Sequence, residues 1–211
     1  NVGGGGSDSP NSNLTVGDRC VFHNGLINIC EPVVIGNDVG LSNHVDIITH
    51  GFWYSMLEGY PTEFAGVTIG NNVIVGWRST IMTGVTISDN VVIGNNSNVV
   101  KSITKSKSIY VGNPARFIKK IEEPNIKVKL KMLDSIVKDF KDLLEYYVVD
   151  SINFKVDYPN LTINNFTINV DNLSSFGVED EITDMFRDFI RKRGIRIYTE
   201  RKFSSSLKRK K

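Results

Sequence analysis

Aliphatic residues recur at every sixth position through the middle of the chain, and this spacing constrains the fold more than any other feature. Six successive sixth positions are isoleucine or valine: Ile69, Val75, Ile81, Ile87, Ile93 and Val99. A period of six matches neither the 3.6-residue period of a helix nor the two-residue alternation of a hairpin strand. It is typical of a β-solenoid, in which stacked coils bury one continuous apolar column.

Other positions of the hexad support the same prediction. The residues four after each aliphatic are small or β-branched: Val73, Ser79, Val85, Val91, Ser97 and Ile103. An earlier phase of the repeat contains Ile35, Leu41 and Ile47 and, before a one-residue slip, Val16 and Phe22. Asparagine and aspartate tolerate the left-handed backbone that corners need; the corner pairs are Asn37-Asp38, Asn71-Asn72, Asp89-Asn90 and Asn95-Asn96. An antiparallel β-sandwich is the alternative, but in that fold the six-residue spacing would be a coincidence.

The two phases are separated by an excursion, because the 22 positions between Ile47 and Ile69 are not a multiple of six. The sequence predicts that the loop 51–66 leaves the solenoid here. It is unusually aromatic, and loops on rigid scaffolds often carry binding residues. We expect Trp53 and Tyr54 to contact a bound substrate; covering the flank of the solenoid is the alternative role.

Three stretches, 67–76, 81–87 and 110–118, resemble the hexapeptide-repeat acyltransferases, and the last contains the closing motif Gly-Asn-Pro-Ala-Arg. This family includes sugar O-acetyltransferases, sugar-nucleotide N-acetyltransferases and xenobiotic acetyltransferases. The resemblance covers residues 14–120. It implies a left-handed parallel β-helix, a homotrimer, and acyl-CoA bound between neighbouring subunits. Handedness rests on the resemblance alone, because parallel crossovers are otherwise right-handed.

The resemblance also implies roles for individual residues. His50 lies where the chain leaves the predicted solenoid, at the place of the family's catalytic histidine. An imidazole with an ordinary pKa near ~6.5 suits a general base that deprotonates an attacking hydroxyl or amine. A structural histidine at a corner is the alternative. The positions implied to contact acetyl-CoA are Gly76 and Trp77 beside the thioester arm, Asn95 near the pantetheine, and Lys101, Arg116 and Lys119 near the phosphates.

Two other chemistries fit the sequence less well. Zinc catalysis needs three converging ligands, and the three histidines, His23, His44 and His50, do not match the spacing of the γ-class carbonic anhydrases. We therefore expect no metal. A covalent acyl-enzyme would need a nucleophile beside a base, and neither Cys20 nor Cys30 stands in a recognisable arrangement of that kind.

The hexads end before Pro124, and residues 125–211 are predicted to form a separate helical or α+β domain with a basic tail. Apolar residues at steps of three and four predict an amphipathic helix: Leu130, Leu133, Val137, Phe140, Leu144 and Tyr147. This helix is expected to pack on the solenoid or against another subunit. A strand over 166–170, a helix over 179–193 and a returning strand over 195–198 are also predicted. Residues 1–13 are expected to be a flexible segment.

The chain is therefore predicted to be mainly β, with a helix and a small α+β appendage. The resemblance implies a cytoplasmic acetyl-CoA-dependent acetyltransferase that modifies a sugar, plausibly a nucleotide-linked amino sugar, in glycan synthesis. Acetylation of an antibiotic and a non-catalytic trimeric scaffold are the alternatives. A net charge of +2 and the absence of a long apolar run give no indication of a nucleic-acid partner or a membrane span.

Overall fold

The computed structural model describes residues 1–4, 10–147, 149 and 152–206, which divide into two compact units, 1–122 and 123–211. The basic tail, 208–211, lies outside the described residues. The strands of the first unit are β1 Val2–Gly3, β2 Leu14–Val16, β3 Val21–Phe22, β4 Gly25–Asn28, β5 Val33–Ile35, β6 Gly40–Leu41, β7 Val45–Ile47, β8 His50–Gly51, β9 Glu63–Phe64, β10 Val67–Ile69, β11 Ile74–Val75, β12 Thr80–Ile81, β13 Thr86–Ile87, β14 Val91–Ile93, β15 Asn98–Val99, β16 Ser108–Val111 and β17 Arg116–Lys120.

Successive strands visit three sheets in turn, which is the topology of a parallel β-helix. The sheet orders are β1-β4-β7-β12-β15, then β13-β10-β5-β2, then β17-β16-β14-β11-β6-β3. All neighbours are parallel except β16 and β17. Thr68 pairs with Thr86 and Thr80 pairs with Asn98, so one coil takes 18 residues, or three hexads. The predicted fold class is confirmed.

The hexad aliphatics form the core of this unit. All six from Ile69 to Val99 are at most 1% exposed. Val16 and Phe22 pair in register with Ile35 and Leu41, as the repeat predicts. They are nevertheless 39% and 38% exposed, because β2 and β3 are the edge strands of their sheets in the described part of the chain.

The predicted corners are confirmed, because the second residue of each pair has a left-handed backbone. The φ angles are 57° at Asp38, 53° at Asn72, 59° at Asn90 and 53° at Asn96. Side chains also tie successive corners together: the Asn71 side-chain oxygen accepts a hydrogen bond from the Asn37 backbone at 2.9 Å. The repeated Asn and Asp therefore both turn the chain and join one coil to the next.

Replacing Asn72 with valine should lower the free energy of unfolding by about 1–2 kcal/mol, because a β-branched residue is strained at positive φ. Asn72 is exposed and its side chain makes no hydrogen bond to the described residues, so little packing is lost. Asn72→Gly should remain close to the parent protein. Urea unfolding of the three proteins measures this, and equal stability of both variants would contradict the strain argument.

The chain leaves the stack of coils between His50 and Val67. Val33 pairs with Val67, which is 34 positions further on instead of 18. The excursion starts as a short antiparallel ribbon, in which His50 of β8 pairs with Phe64 of β9. Its outer part contains a 3-10 helix, Met56–Glu58, capped by the Ser55 side chain.

The N-terminal residues differ from the prediction of a flexible segment. Val2 of β1 pairs with Ile27 of β4, and the Asn1 ammonium group donates to the Gly25 carbonyl at 2.7 Å. The unpaired edge of the first sheet explains this, since backbone pairing is available there to any extended segment. Residues 5–9 lie outside the described part of the chain.

In its described residues, the second unit contains one antiparallel sheet and two helices. Its elements are helix α1 Ile126–Tyr146, strands β18 Phe154–Asp157, β19 Asn160–Ile163, β20 Phe166–Asn169 and β21 Ser174–Gly177, and helix α2 Glu181–Arg191. The strand order is β18-β19-β20-β21. Four residues of the α1 seam, Val137, Phe140, Leu144 and Tyr147, pack in a core shared with these strands and α2. This part of the seam therefore packs within its own unit; packing of the helix on the solenoid or against another subunit stays a prediction.

The returning strand predicted over 195–198 does not form. The Ile197 carbonyl accepts a hydrogen bond from the Arg187 guanidinium at 3.3 Å, where a strand would need a neighbouring backbone. Ile197 is fully buried all the same, so the alternating pattern correctly indicated burial but not pairing. Gly194 has φ 85° just past α2, as its helix-ending position predicts.

Candidate functional site

His50 is held at the corner where the chain leaves sheet strand β7 for the excursion. Its Nδ1 lies 3.0 Å from Asn28 Oδ1. The backbone N–H of Cys30 also points at this Asn28 atom, at 3.2 Å, which identifies it as the oxygen. An amide oxygen only accepts, so Nδ1 of His50 carries the hydrogen and Nε2 is the basic nitrogen.

Asn28 is itself fixed by buried contacts. The Thr49 hydroxyl donates to Asn28 Oδ1 at 2.5 Å and accepts from the Glu31 backbone at 3.1 Å. Thr49 is fully buried and Asn28 is 7% exposed. Gly4 packs against the other side of the amide, where an added Cβ would lie 2.0 Å from Asn28 Nδ2. The group that orients the imidazole is therefore part of the rigid coil stack.

Aromatic rings of the excursion flank the imidazole. Phe64 is stacked on His50 with centroids 5.7 Å apart and 16° between the planes, and Phe52 lies at 5.5 Å. Since β8 and β9 form one ribbon, the pairing that shapes the loop also places these rings. The arrangement presents a half-buried imidazole with a defined orientation beside an apolar wall, which suits proton transfer.

The positions implied for the thioester arm form a separate group at another corner. Trp77 N donates to Asn95 Oδ1 at 2.9 Å, and a Cβ at Gly76 would lie 2.6 Å from Asn95 N. The Arg78 guanidinium stacks over the Trp77 ring at 4.3 Å. The Gly76–Trp77 corner precedes β12, whereas His50 follows β7. Because β7 and β12 are parallel neighbours in the first sheet, the two corners lie at opposite ends of these strands. Within one chain, the structure does not bring His50 together with Gly76, Trp77 and Asn95.

The implied phosphate-binding cations lie towards the last coils. Lys101 follows β15, two strands along from β7, so it lies about 10 Å along the stack from the His50 corner. Arg116 and Lys119 are on β17, beside Val111 and Ile109. All three cations are exposed. Residues 101–120 contain six Lys and Arg and no acidic residue, which makes this end of the domain positive.

The aromatic residues expected to hold an acceptor are open to solvent. Trp53 is 84% and Tyr54 is 62% exposed. Tyr54 packs on Tyr60 with centroids 4.7 Å apart. In the described chain neither Trp53 nor Tyr54 contacts the His50 ring, so both are available to a ligand or a neighbouring molecule.

Sequence reasoning missed Asn28, Thr49 and the two phenylalanines around His50. One sequence signal for Asn28 was available: a polar amide stands between two isoleucines, Ile27 and Ile29. A polar side chain that is buried among apolar neighbours needs a specific hydrogen-bond partner. Its partner, 22 positions away, cannot be read from the hexad spacing.

Among the described residues, no group of three or more His, Cys, Asp or Glu side chains is placed to hold a metal ion. None of the helices in the described ranges is long and apolar enough to cross a membrane.

A scan of protein-family models and a search of curated proteins give no match. Solved structures do match. A maltose O-acetyltransferase from Clostridium difficile 630 is 36% identical, over 52% of this chain and 60% of that chain, with a TM-score of 0.42. A galactoside acetyltransferase in complex with coenzyme A is 30% identical, over 52% and 56%, with a TM-score of 0.45.

A hexapeptide-repeat acetyltransferase of Vibrio cholerae O1 biovar eltor, complexed with acetyl coenzyme A, is 22% identical, over 58% of this chain and 66% of that chain, with a TM-score of 0.49. The chain thus spans less than two thirds of the length of each of these proteins. The first unit is therefore a parallel β-helix built from hexapeptide repeats, and the solved structures similar to this chain include a hexapeptide-repeat acetyltransferase.

Proposed function

We propose that the chain is an acetyl-CoA-dependent acetyltransferase that modifies a hydroxyl or amino group of a sugar, with His50 as the general base. The observation that carries this proposal is the Asn28–His50 hydrogen bond, which fixes the tautomer of a histidine at the mouth of the excursion. A histidine that served only to hold a corner would not need a buried amide oxygen that orients its Nδ1.

In the proposed reaction, Nε2 of His50 takes the proton of the acceptor as its oxygen or nitrogen attacks the thioester carbonyl. The carbonyl carbon becomes tetrahedral and its oxygen becomes an oxyanion, which hydrogen-bond donors stabilise. The carbon–sulfur bond then breaks, and the departing thiolate of coenzyme A receives the proton held by His50. The acetyl group is thereby transferred directly, without a covalent enzyme intermediate.

The positive end of the domain supports coenzyme A as the carrier of the acetyl group. Lys101, Arg116 and Lys119 are exposed and lie in a stretch without acidic residues. Arginine binds phosphate oxygens as a bidentate fork and lysine binds them as a point charge. Coenzyme A and acetyl coenzyme A are named as ligands of two of the similar structures.

We also propose that the active enzyme is a homotrimer. His50 and the Gly76–Trp77 corner lie at opposite ends of one sheet, so one chain does not unite them. Neighbouring subunits can supply one corner each, which completes a site between them. Trp53 and Tyr54, exposed on the excursion, would then face the acceptor sugar. Since acetyl-CoA is an intracellular donor, we place the reaction, a step of glycan synthesis, in the cytoplasm.

Release of the coenzyme A thiol from acetyl-CoA tests the proposal. The acceptor panel contains free sugars, nucleotide-linked amino sugars and hydroxylated antibiotics. We expect release with a sugar acceptor and binding of acetyl-CoA by calorimetry in the same sample. Release with antibiotics alone would show that the acceptor is an antibiotic and not a sugar. Absence of both release and binding would favour a non-catalytic scaffold.

A further inference from the structure

The second unit contains a cavity that the proposed reaction does not use. It is a shallow cavity, open to solvent, of about 490 Å³, lined by Asn153, Asn164, Asn165, Val178 and Asp180, all of which are exposed. The walls come from the start of β18, the β19–β20 turn, the end of β21 and the start of α2. Four of the five lining residues are polar, whereas small-molecule pockets are mostly apolar. The cavity therefore suits a ligand rich in hydroxyl groups.

Backbone contacts fix the walls before any ligand binds. Asn153 N donates to Asn164 Oδ1 at 3.1 Å, and Asn164 N donates to the Asn153 carbonyl at 2.9 Å. Val178 N donates to the Asn165 carbonyl at 3.1 Å. Gly177 allows this approach, because a Cβ there would lie 2.0 Å from the same carbonyl oxygen. A preformed wall reduces the ordering cost of binding.

Several polar groups at the cavity are available to a ligand. The side-chain amides of Asn153 and Asn165 make no hydrogen bond to the part of the chain that the structure describes. Asp180 caps α2 through Oδ1, which accepts from Ile182 N and Thr183 N. This leaves Oδ2 as an acceptor. An amide presents a donor and an acceptor side by side, the pattern that adjacent hydroxyls of a sugar ring match.

Charge and apolar surface narrow the ligand class further. No lysine, arginine or histidine lines the cavity, and its single charged residue, Asp180, is an anion. Phosphate-bearing or carboxylate-bearing sugars are therefore disfavoured. Val178 is 71% exposed and offers an apolar surface to the C–H face of a sugar ring.

We propose that this cavity binds a neutral oligosaccharide. Binding does not require the transfer reaction. The further role of holding the acceptor glycan rests on the proposed function, because it assumes that a sugar is acetylated.

The test titrates the full-length, ¹⁵N-labelled protein with two neutral probes, lactose and maltotriose, and with the anionic probe 3′-sialyllactose. We expect saturable amide shifts at Asn153, Asn165 and Val178 with a neutral probe and weaker or no shifts with the anionic one. The double variant Asn153→Asp/Asn165→Asp keeps the side-chain size but removes both amide donors, and we expect its affinity to fall at least about tenfold. Asn13→Asp makes the same change on an exposed residue of the first unit and should not alter binding.

Saturable binding that the double variant loses and Asn13→Asp retains would support the proposal. Absence of shifts with both neutral probes would overturn it, as would equal affinity in the double variant or a preference for 3′-sialyllactose. Thiol release from acetyl-CoA is measured separately on the same samples. If the cavity does not bind sugar, thiol release is still observed. If the chain does not transfer acetyl groups, the sugar-induced amide shifts are still observed, so the two proposals are distinguishable.

Discussion

Replacing His50 with alanine should lower kcat/KM for acetyl transfer by about 10²–10⁴-fold, the usual contribution of a positioned general base. The affinity for acetyl-CoA should not change, since the cationic residues at the last coils are untouched. Thiol release measures the first quantity and calorimetry the second. Stability should fall only slightly, because His50 is at a partly exposed corner.

His44→Asn is the matched control for this experiment. His44 also lies at a corner, with φ 57°, and asparagine tolerates that backbone conformation. Its ring contacts Trp77 edge-on at 6.5 Å and is not oriented by a buried amide. Activity in His44→Asn should stay much closer to that of the parent protein. Equal losses of kcat/KM in the two variants, with acetyl-CoA affinity unchanged in both, would remove His50 from the role of base.

The orienting role of Asn28 has its own signature, the pH profile. In Asn28→Asp a carboxylate replaces the amide beside His50 Nδ1, and an adjacent negative charge raises the pKa of an imidazole. A base must be deprotonated to act, so the acidic limb of the kcat/KM profile should move to higher pH. An unmoved limb with lower activity would mean that Asn28 matters only for the stability of the corner.

The hexad spacing predicted the coil core and the Asn and Asp corners because both arise from local preferences that repeat every 18 residues. Arg78 also has a positive φ, 55°, although arginine does not signal a corner. It follows the geometry imposed by the coils above and below it. Local sequence therefore determined the corners where it was favourable, and stacking imposed the others.

The candidate site was predictable only where a single residue type carries the chemistry. His50 could be recognised, whereas Asn28 could not, because its role depends on a contact between two coils. The same reason explains the failed strand over 195–198. An alternating pattern records which residues are buried, but the partner of the Ile197 carbonyl is a distant arginine.

Replacing Arg187 with alanine should destabilise the second unit by about 3–5 kcal/mol, the usual cost of removing one partner of a buried ion pair. The Arg187 side chain is fully buried. It donates to Asp184 at 2.8 Å, to the Ile197 carbonyl at 3.3 Å and to the Arg201 carbonyl at 2.9 Å, and it lies 5.2 Å from the Phe203 ring. One guanidinium thus fastens the C-terminal segment onto α2.

Arg191→Ala is the control, because Arg191 is 43% exposed and its partner Asp188 keeps a second ion pair with Lys192. It should cost far less. Urea unfolding and amide exchange in α2 report the difference between the two variants. Equal losses of stability in the two variants would mean that the buried contacts of Arg187 add nothing beyond what any arginine adds to α2.

The Arg187 effect should also depend on pH, in a direction set by Asp184. Burial raises the pKa of this carboxyl, but hydrogen bonds from Arg201 and Arg187 outweigh it and hold the pKa below its ordinary value of 3.8. A lowered pKa contributes stability that is present above the ordinary value and is lost as the pH falls through the folded-state value. Without Arg187 the shift shrinks, so the gap between the parent protein and Arg187→Ala should be widest near neutral pH and should narrow below about pH 4. A gap that stays constant down to pH 2 would show that Arg187 stabilises the unit through packing and backbone contacts and not through its charge.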